Sequence, residues 1–276
     1  MTFLSTRRRH PLAGLVVLAL ALVVMGGVYS AFRPAAADQS QSDTALVSQG
    51  RKLFVVSCAT CHGLNGEGTL DRSGINGPSL VGVGAAAVDF QVGTGRMPLA
   101  APGPQAPARH PVFNPQEVRA LAAYIATLGP GPAIPAADDY GTSGMTEQDI
   151  AAGGEFFRTN CTACHNYAGS GGALPSGRYA PSLHGVDPRY VYEAMITGPQ
   201  SMPIFSDAVL KPEEKRQIIA YLQTLESQAS YGGSSLGSLG PVTEGLWGWL
   251  GGIGVLVLAT VWISNNGVRA RKKSHE

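Results

Sequence analysis

Residues 57–66 read SCATCHGLNG and place two thiols and an imidazole within five positions, at Cys58, Cys61 and His62. Three kinds of site begin in this way: a disulfide, a zinc centre and a covalently attached haem. Each of them leads to a different function. The remainder of the sequence must distinguish among the three.

The composition favours small loop-rich domains with apolar segments. The chain has 276 residues, enough for two domains of ordinary size, and it is rich in Gly (36) and Pro (19). Its 20 basic and 19 acidic residues nearly balance, so no strong charge indicates binding to nucleic acid. Four cysteines occur as two pairs, whereas a disulfide scaffold of this length usually has more cysteines, spread more evenly.

The middle of the chain is a sequence pattern written twice. Four landmarks recur in the same order and at nearly the same spacing, which identifies a duplicated domain. The landmarks are CATCHG and CTACHN, NGPSL and APSL, TGRMP (Met97) and TGPQSMP (Met202), and EVRALAAYIATL (117–128) and EKRQIIAYLQTL (214–225).

Each copy is predicted to be helical. Apolar residues recur at helical spacing before each cysteine pair, and the closing segments begin after NPQE and KPEE, where Pro and acidic residues suit the first turn of a helix. Neither copy contains a convincing run of alternating β-branched residues. The first copy has an insertion at 99–111 that is too rich in Pro to be anything but a loop.

The histidine that follows each cysteine pair favours haem. A disulfide does not require it, and a structural zinc site needs four ligands where each copy offers three nearby. Two cysteines three residues apart on a helical turn face one side and can form thioethers with two vinyl groups, and the next residue can ligate the iron. Zinc and a redox dithiol remain the alternatives. The sequence predicts two covalently bound haem c groups, at Cys58 and Cys61 and at Cys161 and Cys164, with His62 and His165 as axial ligands.

The second axial ligand of each iron is predicted to be a methionine. Met97 and Met202 lie about forty residues after their cysteines, and each precedes a proline. His/Met ligation raises the reduction potential and leaves no position for a reactant, so the haems would carry electrons, and no catalytic residue is expected. His110, His184 and Met195 are rival ligands, but none has a counterpart in the other copy. The carbonyls of Pro78 and Pro181 are expected to accept the imidazole N–H groups and so to orient the rings.

Both ends of the chain contain apolar segments. The run from Pro11 to Phe32, after three arginines, fits a membrane anchor or a secretory signal. Gly245–Ile263 is long enough to span a bilayer, and basic residues follow it. Because positive residues favour the cytoplasmic side, the domains between the two segments are expected to be extracytoplasmic and the C-terminus cytoplasmic.

This organisation gives seven predicted segments. They are an N-terminal anchor or signal (1–33), the first domain (44–129), a Pro/Gly linker (130–145), the second domain (146–228), a flexible Gly/Ser linker (229–243), a transmembrane helix (244–264) and a basic tail (265–276).

The motifs CATCHG, NGPSL and TGRMP and their second copies resemble those of class I cytochromes c, which implies an all-α fold of two tandem domains. Two such domains before a C-terminal helix resemble the dihaem cytochrome c subunit of the actinobacterial cytochrome bc1 complex, a menaquinol–cytochrome c reductase in the plasma membrane. That resemblance implies cytochrome b and Rieske iron–sulfur subunits as partners. It also implies electron transfer from the Rieske protein through the first haem and then the second to an aa3-type haem–copper oxidase.

Three alternatives remain from the sequence. The chain could be the dihaem subunit of a cbb3-type oxidase, although the clear C-terminal helix counts against it because that subunit usually has its anchor first. It could instead accept electrons from a periplasmic dehydrogenase. A third reading is an enzyme with an open haem, which would require one haem to lack its methionine.

Overall fold

The structure is a computed structural model that describes residues 12–31, 36–69, 77–227, 236 and 241–273. Its regular elements are mostly helices. They are α1 (Ala13–Ala31), α2 (Ala36–Ser57), α3 (Ala59–His62), α4 (Gly84–Gly93), α5 (Pro115–Ala126), α6 (Ala137–Tyr140), α7 (Glu147–Asn160), α8 (Thr162–His165), β1 (Gly172–Leu174), a 3₁₀ turn (Pro175–Gly177), β2 (Arg178–Ala180), α9 (Pro188–Thr197), α10 (Pro212–Ser227), α11 (Pro241–Trp247), a π-helical segment (Gly248–Ile253) and α12 (Gly254–Lys273).

In the first domain α2 packs against α5, the predicted closing helix. The α5 helix begins with a capping box, because the Asn114 side chain accepts from the Glu117 amide and the Glu117 carboxylate accepts from the Asn114 amide. The two helices approach closely at Gly50, where any side chain would overlap the carbonyl of Ala120. Beside this contact the rings of Phe54 and Tyr124 lie 5.3 Å apart, and both side chains are buried in the core of the domain.

The second domain repeats this arrangement with α7 and α10. A side chain at Gly153 would overlap the carbonyl of Gln217, so the second copy also uses glycine where its helices cross. The rings of Phe157 and Tyr221 are 5.6 Å apart, close to the spacing of the corresponding pair in the first domain. The duplicated sequence therefore builds duplicated packing. Each domain has its own apolar core.

A small antiparallel hairpin in the second domain adds the strands β1 and β2. Gly172 pairs with Ala180, and the register continues to Leu174 opposite Arg178. The turn between the strands places Ser176 at φ 62°, in the left-handed region. Three-residue strands built from Gly, Ala, Leu, Arg and Tyr carry no β-branched alternation, which is why the sequence pattern did not indicate them.

The segment predicted as a linker between the domains is packed against both of them. Its Pro132 carbonyl accepts from the Ala86 amide at 3.1 Å in the first domain. Its Gly141 carbonyl accepts from Nε of Arg216 at 2.8 Å in the second. The connection between the domains (residues 130–145), which we call the strap, is therefore packed against the first domain near its start and against the second domain near its end.

The two domains contact each other directly through α4 and α9. Phe90 and Tyr190 meet edge to face, with ring centroids 6.2 Å apart. Arg189 Nη1 lies 3.2 Å from Oδ2 of Asp89, which is almost completely buried. Glu193 is fully buried beside this ion pair, and neither of its carboxyl oxygens has a hydrogen-bond donor among the described residues. A proton on Glu193 would supply a donor toward Asp89.

Replacing Glu193 with Gln is expected to remove most of the pH dependence of stability contributed by this interface. Burial, with the charge of Asp89 as the next cause, raises the pKa of Glu193 from 4.5 to about 9. The folded chain therefore binds one more proton than the unfolded chain between these pH values, and stability falls as pH rises through that window. One proton corresponds to about 1.4 kcal/mol per pH unit. Melting temperatures from pH 5 to pH 9 would measure the effect.

The control is Glu155→Gln, on an exposed position of α7. Its melting temperatures are expected to follow those of the unmodified chain. If Glu193→Gln showed the same slope as the unmodified chain, Glu193 would not be the group that binds the proton.

The predicted C-terminal apolar helix is confirmed. Thr243–Asn266 has 24 residues with a mean hydropathy of 1.9 in its most apolar window, and among the described residues it alone is long and apolar enough to cross a membrane. Ala13–Val28 is a shorter apolar helix. Helical structure continues through the predicted basic tail as far as Lys273. The N-terminal arginines and most of the Gly/Ser linker lie outside the described residues.

Candidate functional site

The attachment motif forms the same helical turn in both domains. In the first domain the Cys58 amide donates to the Phe54 carbonyl at 2.8 Å, and the His62 amide donates to the Cys58 carbonyl at 3.0 Å. The corresponding bonds of the second domain measure 2.8 and 2.9 Å. The motif thus continues the preceding helix by one turn, and its cysteines stand one turn apart as the spacing predicted.

Both histidine rings are oriented by the predicted proline carbonyls. His62 Nδ1 lies 2.8 Å from the Pro78 carbonyl, and His165 Nδ1 lies 3.0 Å from the Pro181 carbonyl. Since a carbonyl can only accept, Nδ1 carries a proton, and in the neutral ring Nε2 then keeps a lone pair. Burial lowers the pKa of His165, although the bond to Pro181 opposes this, so the ring favours its neutral ligating form. The expected orienting bonds are confirmed in both domains.

A cavity of about 500 Å³ in the second domain brings together four residues that the sequence singled out. They are Cys161, Cys164, His165 and Met202. Most of the remaining lining is apolar, including Leu183, Phe205 and Ile218. A cavity of this size, with two thiols, a neutral imidazole and a thioether on its wall, fits a covalently attached haem.

The first domain places its corresponding residues around one apolar core. Cys58 and Met97 both pack against the cluster that contains Phe54 and Leu121. The Met97 amide donates to the Gln91 carbonyl at 2.9 Å, which fixes the methionine at the end of α4. The thiol of Cys58 and the thioether of Met97 therefore lie against the same apolar core.

Two of the four thiols, those of Cys58 and Cys161, are poorly suited to redox or zinc chemistry. Burial, with the neighbouring cysteine as the second cause, raises the pKa of Cys58 to about 11 and that of Cys161 to about 12. A reactive or metal-binding cysteine works as a thiolate, and its pKa is usually lowered. These two groups instead stay protonated near neutral pH, which counts against the dithiol and zinc alternatives.

The rival iron ligands differ in position. Met195 is buried and lines the cavity together with Met202. His184 is exposed and outside that lining, and Nδ1 of the exposed His110 bonds to the carbonyl of its own neighbour Pro111. Met195 is thus the rival that needs an experiment.

The structure also shows site residues that sequence reasoning missed, because they come from the other domain. One wall of the cavity in the second domain is formed by residues of the first domain. Its members are Phe90, Thr94, Arg96, Gln105 and Ala108. The sequence signal was the insertion 99–111, which has no counterpart in the second copy and which the pattern identified only as a loop.

Comparison with known proteins agrees with this geometry. A family model described as cytochrome c matches residues 47–129. A second, described as cytochrome c oxidase, cbb3-type, subunit III, matches residues 148–222. The chain is 43% identical over 270 residues to the cytochrome bc1 complex cytochrome c subunit of Corynebacterium diphtheriae, which covers 93% of this chain and 95% of that protein.

The chain belongs to the family of bc1 complex cytochrome c subunits. The Mycobacterium tuberculosis subunit of that name is 42% identical over 263 residues, covering 93% of this chain and 92% of its own length. A cbb3-type oxidase subunit FixP from Azorhizobium caulinodans is 35% identical over 92 residues, only 32% of this chain and 29% of that protein.

The family confirms the predicted fold class and the resemblance. The chain has two cytochrome c domains, is mostly helical and has one candidate membrane-spanning apolar helix, Thr243–Asn266, among its described residues. It is an electron-transfer cytochrome, and its domains are of the kind that binds haem c covalently. The match to the cbb3-type subunit spans about one domain and does not extend to the whole chain.

Proposed function

We propose that this chain carries two six-coordinate haem c groups and relays electrons within a quinol–cytochrome c reductase. Its electron donor would be the Rieske iron–sulfur protein and its acceptor an aa3-type haem–copper oxidase, with cytochrome b as the further partner. The observation that supports the proposal is the cavity of the second domain, which is lined by both thiols, the histidine and the methionine of one repeat. The first repeat has the same four residue types at the corresponding positions of its sequence.

The roles proposed for the site residues follow from their chemistry. The thioethers would form at Cys58, Cys61, Cys161 and Cys164, and the axial ligands would be His62, Met97, His165 and Met202. Bound haem supplies a one-electron carrier, and His/Met ligation raises its potential. The proline carbonyls hold each imidazole in the tautomer that presents Nε2. The mostly apolar cavity wall would limit the access of water to the second haem.

The contact between the domains supports a fixed relay. We propose domain bounds of 44–129 and 146–228, consistent with the matched ranges. Counting Asp, Glu, Lys and Arg, residues 44–130 carry six positive and four negative groups, and residues 145–228 carry six and nine. Neither is the large single-sign field that steers a diffusing carrier onto its partners. The domains instead join through α4, α9 and the packed strap.

The C-terminal helix supports membrane anchoring. Twenty-four helical residues rise about 36 Å, enough for a hydrocarbon core about 30 Å thick. Trp247, Trp249 and Trp262 lie exposed on the helix, as interfacial anchors do. The basic residues after the helix favour a cytoplasmic C-terminus, which would place the haem domains on the extracytoplasmic face of the plasma membrane. The shorter apolar helix α1 would be either a second anchor or part of a secretory signal.

Isolation of the tagged chain from its native membranes in mild detergent tests the proposed partners. We expect reduced-minus-oxidised spectra to show b-type and a-type haem bands beside the c-type band, and the preparation to oxidise quinol with oxygen. A c-type band alone would indicate a stand-alone or dehydrogenase-linked carrier. The c-type Fe(III) haems are expected to be low-spin, and a dominant high-spin c-type signal would contradict Met ligation and favour an open-haem enzyme.

A further inference from the structure

Arg96 belongs to the first domain, but its side chain lines the cavity of the second. It directly precedes Met97, the proposed iron ligand of the first site. Its guanidinium carbon lies 4.7 Å from the ring centroid of Phe90, which also lines the second cavity. One short segment therefore serves both sites, with its methionine in the first and its arginine at the second.

The insertion 99–111 is held against the second domain by four hydrogen bonds. Gln105 Nε2 donates to the Tyr179 carbonyl, and the Tyr179 amide donates to Gln105 Oε1, both at 2.8 Å. Gln200 makes the same two-way pairing with Ala106, at 2.9 and 3.0 Å. Gln200 lies two residues before Met202, so the insertion also fixes the loop of the proposed second-site ligand.

Charged groups are few in the cavity lining. They are Arg96, Arg178 and Asp187. The Asp187 carboxylate accepts from the Arg189 amide at 2.8 Å, where it caps α9. Arg178 Nη1 donates to Ser201 Oγ at 2.6 Å, which leaves its remaining N–H groups for other acceptors. Haem carries two propionate carboxylates, and arginine is the side chain best suited to pair with a carboxylate.

We propose that Arg96 completes the second haem site from the first domain by pairing with a haem propionate. This inference rests on the proposed function, since it requires a haem at Cys161 and Cys164. A positive charge at the haem edge favours the reduced form, so Arg96 raises the potential of the second haem. The contact also makes the second site depend on domain docking, because Arg96 belongs to the first domain and reaches the cavity only while the two domains are in contact.

The test is a spectroscopic redox titration of the full dihaem chain carrying Arg96→Gln. We expect a lower midpoint potential at the second haem, an unchanged potential at the first, and two covalent haems per chain. Arg96→Lys keeps the charge and is expected to retain most of the potential. The matched control is Arg119→Gln, because Arg119 is an exposed arginine on α5 of the same domain and is absent from the cavity lining. It should move neither potential.

Two results would overturn the inference. The first is a second-haem potential that Arg96→Gln leaves unchanged, and the second is a shift confined to the first haem, which would mean that Arg96 acts through Met97. If Arg96→Gln does not accumulate, Gln105→Glu places a negative charge on the same wall. It should lower the second potential alone, and no shift would count against this wall facing the haem. A single covalent haem in the unmodified chain would instead contradict the proposed function itself.

Discussion

Replacing Cys58 and Cys61 together with alanine is expected to halve the covalently bound haem of the chain, from two groups to one. The thioether bonds need both the thiols and the helical turn that spaces them. The turn is defined by hydrogen bonds from the Cys58 and His62 amides to the Phe54 and Cys58 carbonyls. Alanine keeps the turn but removes the sulfur. Haem per chain, measured by the pyridine haemochrome of purified protein and by haem staining on a denaturing gel, checks the result even if the first domain loses stability.

The matched variant replaces Cys161 and Cys164, and we expect it also to retain one haem. Combining both replacements should abolish the stain. Full haem content after the first replacement would show that Cys58 and Cys61 are not an attachment site. Loss of both haems would show that the second site cannot be loaded without the first. That dependence would be stronger than the one implied by the first-domain residues that line the cavity of the second domain.

Local sequence rules predicted much of each domain. The repeat located both cores, the NPQE segment predicted the start of a helix that the structure caps at Asn114, and the spacing from cysteine to proline predicted the carbonyl that orients each imidazole. These features depend on neighbours along the chain or on landmarks that recur in both copies. Because the landmarks recur in both copies, the sequence predicts the local structure of each copy separately.

Contacts between the copies could not be predicted in this way, because each depends on how two folded surfaces meet. Asp89 and Arg189 are a hundred residues apart in sequence, and nothing in the local pattern of either residue indicates the other. Glu193 is buried on α9, and the spacing of the apolar residues in that helix does not predict a buried carboxyl group. The insertion was correctly predicted as a loop, but its polar pairing with Tyr179 and Gln200 is visible only in the tertiary structure.

Replacing Met202 with His is expected to keep the second haem attached but to lower its potential sharply. The thioether favours Fe(II), whereas a second imidazole stabilises Fe(III) relative to Fe(II). A drop on the order of 0.2 V is a fraction of the roughly 0.8 V range that axial ligands span, and at 59 mV per factor of ten it shifts a one-electron equilibrium by about three orders of magnitude. Transfer from the first domain to the second should then stall, which redox titration and stopped-flow reduction would both measure.

Met195 supplies the control, because it lines the same cavity and could itself ligate the iron. Met195→Leu preserves the apolar volume and removes the rival sulfur, and we expect the second potential to stay close to that of the unmodified chain. If Met195→Leu lowered the potential and Met202→His left it unchanged, the ligand would be Met195. That outcome would break the symmetry between the copies, because the first domain ligates through the methionine of its TGRMP motif in the proposed scheme. The measurement therefore tests whether the two copies share the same iron ligands as well as the same fold.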